Sequence, residues 1–336
     1  MTQNNLSRRH VVAAGLTGMA GLATGLAWAA PGWDRFARHR GGEVVADSVF
    51  ARIERLAEGV WAIVSLPFDH EGGFVEMATT CNGGIIAGSD GVLVVDGFFT
   101  AAGAAWVSEQ VEALTGMRPT HVAITHHHAD HSGGLAGFQR GAEGPSIIAT
   151  KTATDLIVDG YGAASAEPGE DGYTAERRRL LLPDRILPEN AGSLPLDLGG
   201  RRVRLEPHHG HTPSDLIAVI EDPAIVFDGD LLWDGVFPNY VDAIPSAWDE
   251  AAEMLLSEPS RLHVTGHGSV RKAQDLADFR NLLGEVEAAA RKAHEEGLPA
   301  EDVAADFALP ESLGPWPLFN PRQYHTAFEA WYRELG

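Results

Sequence analysis

The chain has 336 residues, 44% hydrophobic and 8% aromatic, a composition that suits one large globular domain or two modest ones and excludes a disordered or fibrous chain. Its 47 acidic side chains outnumber 25 basic ones. Such a surface repels phosphate backbones and argues against nucleic-acid and other polyanionic substrates, although solubility alone accounts for the charge equally well.

The N-terminus reads as an address. Ser7-Arg8-Arg9-His10 precedes an apolar, Gly-rich run from Val11 to Ala27, and Ala27-Trp28-Ala29 has the small-x-small form of a cleavage site. Paired arginines before a mildly hydrophobic stretch resemble a twin-arginine export signal, so the mature protein is expected in the periplasm. An uncleaved anchor is the competing reading, though the run is slightly short for a membrane span. The division expected along the chain is a signal over 1–29, a linker or strap over 30–48, a catalytic domain over 49–272 and a helical extension over 273–336. Membrane contact is expected only through the signal, and the sequence does not give the oligomeric state.

Beyond the linker, short apolar runs at 59–65, 74–79, 84–87 and 92–95 read as strands, rich in β-branched and aromatic residues and punctuated by Gly and Asp. Cys81, the one cysteine, cannot form an internal disulfide and reads as a buried thiol. The segment 101–114 reads as an amphipathic helix ended by Gly116 and Pro119. A strand over 121–125 then runs directly into a histidine cluster. The segment 167–184, with Pro, Gly and Arg177–Arg179, reads as a surface insertion. Strands are expected at 202–206, 216–220 and 225–227, and helices at 246–256, 270–296 and 322–335. Two stretches echo one another: GIIAGSDGVLVVDG over 84–97 and LIAVIEDPAIVFDG over 216–229. Each is followed by a helix and by a strand ending near a histidine, His126 or His267. Two ββαβ-like halves facing each other would set these strand ends along one rim, where a rigid scaffold presents chemistry.

The cluster itself, Thr125-His126-His127-His128-Ala129-Asp130-His131, contains H-x-H-x-D-H. Neutral imidazole and carboxylate are good zinc ligands. A zinc-protease helix would need Glu where His128 stands, so a loop fits better, with His126 and His128 gripping one ion while Asp130 and His131 turn to another. His127 then points away and packs or hydrogen-bonds. Companions follow in order: Gly210-His211-Thr212-Pro213, Gly229-Asp230 and Gly266-His267-Gly268. Singly each is weak. Together they put five histidines and two carboxylates at consecutive strand ends.

This series resembles the metallo-β-lactamase superfamily, from about Gly59 to Lys272. The resemblance implies an α/β (α+β) fold, a four-layer αββα sandwich of two similar halves. It implies a first metal on His126, His128 and His211, a second on Asp130, His131 and His267, and Asp230 bridging them. Asp96 matches the family's strand-end Asp, which supports the metal loop from behind. Two zinc ions are the expected cofactors, with iron or manganese as alternatives for an all-His-and-Asp set.

Two divalent ions sharing a carboxylate can hold a water whose pKa falls toward ~7, and the resulting hydroxide attacks a carbonyl or phosphoryl centre. Asp130, bordering that water, is the natural residue to orient it and pass on its proton. No G-x-S-x-G serine competes as nucleophile. The substrate is expected to be a small molecule with an ester, thioester, lactone or amide bond. Asp230 stands where the family's genuine β-lactamases usually carry Cys or Ser, and glyoxalase-II-like thioesterases and lactonases carry Asp. Candidate substrate contacts are His70 in the loop 67–74, and Trp233, Phe237 and Tyr240 in the segment 233–248. Two other roles stay open: a one-iron oxidoreductase resembling persulfide dioxygenases, and an accessory part in a periplasmic quinoprotein or sulfur-oxidation system.

Overall fold

The computed structural model describes residues 39–48, 50–65, 79–139, 144–161, 183–190 and 192–336. The expected signal, the strand over 74–79 save its last residue, the loop with His70 and nearly all of the insertion 167–184 lie outside the described residues.

Eight strands form one sheet in chain order: β1 (Glu43–Asp47), β2 (Arg52–Ala57), β3 (Val60–Val64), β4 (Gly83–Ala87), β5 (Val92–Val95), β6 (His121–Ala123), β7 (Ser146–Thr150) and β8 (Arg185–Leu187). The second sheet holds β9 (Leu194–Asp197), β10 (Arg202–His208), β11 (Asp215–Ile220), β12 (Ile225–Trp233), β13 (Leu262–His267) and β14 (Arg271–Lys272). The two sheets pack face to face, and the alternation of side chains shows why. In β3, Val60, Ala62 and Val64 point to the inter-sheet core while Trp61 and Ile63 point outward. In β11, Leu216, Ala218 and Ile220 face the same core while Ile217 and Val219 face away. Strands buried on both faces read as continuous apolar runs, as these do.

Helices cover both outer faces. On the first sheet lie α1 (Ala101–Thr115), the one-turn α2 (Ala129–Ser132) and α3 (Lys151–Tyr161), with Ala104, Val107, Val111 and Ile157 packed in its outer cluster. Thr100 caps α1 by accepting from the Gly103 amide, and Gly116, at φ 72°, ends it as a left-handed C-cap. The second sheet carries α4 (Pro245–Leu255), α5 (Ala277–Glu295), α6 (Ala300–Asp306) and α7 (Gln323–Leu335). Trp248, Phe279, Leu282, Phe328 and Trp331 are buried there against Ile217, Val219 and Val226. The result is the αββα sandwich.

The sequence echo is a topological repeat. β4 and β5 are antiparallel, α1 crosses over, and β6 lies parallel to β5; β11 and β12 are antiparallel, α4 crosses over, and β13 lies parallel to β12. Each parallel pair needs a helical crossover, which fixes where the strand ends emerge.

Three expectations differ from what is seen. The segment read as a linker ends in β1, an edge strand paired with β2, because Glu54 anchors it: its carboxylate accepts from the Gly41 and Gly42 amides at 2.6 and 3.2 Å. The helix expected over 270–296 begins only at Ala277; Arg271 and Lys272 pair with β13 first and a short 3₁₀ turn follows. Finally, β12 does not stop at Phe227. It runs through Gly229 and Asp230 to Trp233, with register shifts on either side and Gly229 at φ 53°. A bulge of this kind re-aims a side chain within a strand.

Candidate metal centre

The loop after β6 carries His126 and His128, and the single turn of α2 then swings Asp130 and His131 inward. Ser132 closes that turn, its hydroxyl donating to the carbonyls of His127 and His128 at 3.0 and 2.9 Å. His211 sits in the β10–β11 loop, which Asp215 holds by accepting from the Thr212 amide and hydroxyl at 3.1 and 2.8 Å. Asp230 comes from the bulged β12, and His267 ends β13.

The structure brings all seven of these side chains together, in two groups that could each hold an ion. In the first, His128 Nδ1 lies 3.0 Å from His126 Nε2 and 3.1 Å from His211 Nε2. In the second, Asp130 Oδ2 lies 3.7 Å from His131 Nε2 and 3.2 Å from His267 Nε2. Asp230 stands between them. Its Oδ2 is 3.2 Å from His211 Nε2, 3.8 Å from His126 Nε2 and 3.5 Å from His267 Nε2, while its Oδ1 is 3.1 Å from His131 Nε2.

Two observations fit these donors to metal. His131 Nε2 and Asp230 Oδ1 are both buried and neither makes an aligned hydrogen bond, although they are 3.1 Å apart. Buried polar atoms are rarely left so unless something else satisfies them. Gly266 lies against the Asp230 carboxylate so closely that a Cβ there would fall 1.9 Å from Oδ1. The space belongs to that oxygen.

Electrostatics divides the groups. Burial pushes His126 down, and His211 to about 3, so both imidazoles are neutral donors with a free lone pair. Burial acts the same way on His267, but Asp230 and Asp130 outweigh it and raise that ring to about 9. Asp130 is opposed by burial yet held well below the usual carboxylate range by His131 and His267. In the second group the carboxylates of Asp230 and Asp130 thus favour positive charge beside them.

Supporting partners fix the orientation of these donors. Asp96, in the left-handed region at φ 73°, accepts from His131 Nδ1 at 2.9 Å and from the Thr125 amide and hydroxyl at 2.9 and 2.8 Å. Cys81 is fully buried, its thiol pushed by burial up to about 12, and it donates to the Asp130 carbonyl at 3.0 Å. Two partners had no signal in the sequence. Asp242 Oδ2 accepts from both His127 and His128, Nε2 in each case, at 3.1 and 3.0 Å, so His127 shares a clamp with a ligand candidate. Asn82 donates to the carbonyls of Thr265 and Gly268 at 2.8 and 2.9 Å, tying the first sheet to the loop of His267.

The cleft above the groups encloses about 340 Å³. Trp233 lines it, its ring tilted beside that of His267 with centroids 4.2 Å apart. Phe237 and Tyr240 do not line it. Both are fully buried, in mutual contact and against Tyr324 and Trp248, so they are core residues beneath the cleft wall. His70 lies outside the described residues. The far wall comes from an unexpected quarter: Phe319, Asn320, Arg322, Gln323 and Thr326, all in the C-terminal extension.

Residues 78–282 match the model of the metallo-beta-lactamase superfamily. Among curated proteins, the chain is similar to the acyl-coenzyme A thioesterase MBLAC2 of Gallus gallus, 26% identical over 178 residues that cover 50% of this chain and 59% of that protein. Among solved structures, a metallo-beta-lactamase from Pontibacter korlensis superposes with a TM-score of 0.56 at 19% identity, covering 70% of this chain and 99% of that one. The sec-alkylsulfatase Pisa1 from a Pseudomonas species superposes at 0.62 and 17% identity, covering 85% of this chain and 50% of the other. The fold, the matched segment and the paired donor groups agree, and the chain belongs to the metallo-β-lactamase superfamily.

Proposed function

We propose that this protein is a binuclear metallohydrolase, loaded with two zinc ions, that cleaves an ester or thioester bond of a small molecule. The observation that carries this reading is the position of Asp230, whose carboxylate faces both donor groups at once. His126, His128 and His211 would hold one ion, and Asp130, His131 and His267 the other. Bound there, the pair would acidify a water and polarise the scissile carbonyl. Asp130 is the one ligand candidate with a carboxylate a quarter exposed to the cleft, which suits it to orient the water and accept its proton. Asp96 and Asp242 keep His131 and His128 turned inward, and Trp233 shields His267 from bulk water.

An ester or thioester is favoured over a β-lactam by the shared-carboxylate position, which is Asp230 here, and by the thioesterase name of the curated relative. Because the chain spans only 59% of that relative, its acyl-coenzyme A substrate is not carried over. Elemental analysis of the purified protein, with a panel of ester, thioester, lactone and β-lactam substrates, tests the reading. Two zinc ions per chain and chelator-sensitive hydrolysis are expected. One iron per chain without hydrolysis would overturn it in favour of persulfide dioxygenase chemistry.

We also propose export by the twin-arginine route, on the strength of Arg8 and Arg9 before the apolar run. Replacing both with Lys should strand the protein in the cytoplasm; unchanged export of that variant would refute the route.

A further inference from the structure

The cleft has a wall that the family match does not include. The matched segment ends at 282, yet Phe319, Asn320, Arg322, Gln323 and Thr326 face Trp233, Asp130 and His267 across the cavity. This wall is fastened in place. Gln323 donates to the Phe237 carbonyl at 2.8 Å, and the Phe237 amide donates to the Pro317 carbonyl at 3.0 Å. Gln323 Oε1 also accepts from the Asn320 amide at 3.0 Å. Phe319 lies edge-on to His267, with centroids 5.4 Å apart, so the extension touches a ligand candidate directly.

Arg322 is the one Lys or Arg among the described residues lining this cavity. Its guanidinium meets His325 Nδ1 at 3.2 Å, a ring whose other nitrogen lies 3.5 Å from Glu329 Oε1, and no carboxylate lies within ion-pair distance of Arg322 itself among the described residues. A guanidinium at the mouth of the cleft is a counter-charge for a ligand, and it offers a planar fork matched to an oxyanion.

We infer that Arg322 selects the substrate: the C-terminal extension reads an anionic group, a carboxylate in the simplest case, on a small ester or thioester whose scissile bond lies over Asp130 and Asp230. Phe319 and Trp233 supply the apolar surface between the two ends. One cation serves one anionic group, and the acidic surface disfavours multiply charged substrates. This inference rests on the hydrolase reading, so its test carries a second readout that needs no turnover.

The zinc-loaded protein is assayed with 4-nitrophenyl hydrogen glutarate and with the neutral 4-nitrophenyl pentanoate. The ratio of their kcat/KM values is compared in wild type, Arg322→Ala and Arg322→Lys. Wild type should favour the carboxylate ester about tenfold, the effect of roughly 1.4 kcal/mol. Arg322→Ala should bring the ratio near one, acting mainly on KM, and Arg322→Lys should restore part of it. In parallel, calorimetry compares the binding of glutarate and pentanoate. A preference for glutarate that Arg322→Ala removes supports the inference even if neither ester is cleaved, an outcome that would sink only the hydrolase reading. A wild-type ratio near one, or a preference unchanged by Arg322→Ala in both readouts, overturns the role of Arg322.

Discussion

The two donor groups share Asp230 but are built on different principles. The first gathers three imidazoles beside packed aromatic rings, with Trp248 edge-on to His211 at 4.9 Å, and burial, helped by the neighbouring imidazoles, keeps His126 and His211 neutral. The second replaces one imidazole with Asp130 and stands at the floor of the open cleft, backed by Asp96. Both groups reach the cleft, the first through His128 and the second through Asp130 and His267, but only the second adds a carboxylate of its own to Asp230. Loaded as proposed, one shared carboxylate would couple a site of three imidazoles to a site with a carboxylate of its own, and the two ions need not be held equally.

The most severe way to break this pairing is Asp230→Ala. Both groups lose their common donor, and the buried nitrogens of His131 and His211 lose their carboxylate. We expect both ions to be absent by elemental analysis and activity to fall by at least about a thousandfold, since metal-supplied stabilisation is worth several kcal/mol. His267→Ala should separate the groups instead, leaving about one ion per chain while the first group stays loaded. Loss of both ions from that variant would mean that the groups fill only together.

Chelation sharpens the same contrast in stability. An ion that binds only the folded chain adds about 2.7 kcal/mol at a free concentration a hundred times its dissociation constant. Mild chelator should remove the second ion first with a modest drop in melting temperature, and stronger chelator the first ion with a larger one. A single transition with both ions lost together would erase the distinction. Gly266→Ala comes next. Its methyl group would claim the place of Asp230 Oδ1, so about 1–3 kcal/mol of overpacking and weaker binding at both groups are expected, by thermal melts and metal titration.

Much of this centre was legible because its donors sit beside strand ends, where local pattern and topology coincide. The echo of 84–97 in 216–229 became the repeated ββαβ unit, and His126, His128, His131 and His267 arrive at or just past the ends of that unit's last strands, while His211 lies in the loop that enters its second copy. Gly229-Asp230 was visible as a pair, but its bulge was not, since a continuous apolar run does not reveal where a register shifts. Phe237 and Tyr240 were misplaced because aromatic composition near a cleft does not say which way a loop turns; here Trp248 and Tyr324 draw them into the core. The wall from 319 to 326 was illegible for a deeper reason. It reaches the site only through contacts such as Gln323 to Phe237, across 86 residues of chain, and no periodicity carries that information.

The smallest effect is the most diagnostic of how the first group is held. Asp242 uses one oxygen to accept from His127 and His128, and its side chain is 42% exposed. Removing a partner that orients a ligating imidazole lowers metal affinity by roughly 10–100-fold, and exposure puts Asp242→Ala near the lower figure. The loss should fall on the first ion and spare the second, because Asp242 touches His128 and no donor of the second group. His127→Ala leaves Asp242 with His128 alone and should cost less still. Metal titration of both variants decides the point. An equal loss at both ions would show that Asp242 shapes the whole loop rather than one imidazole.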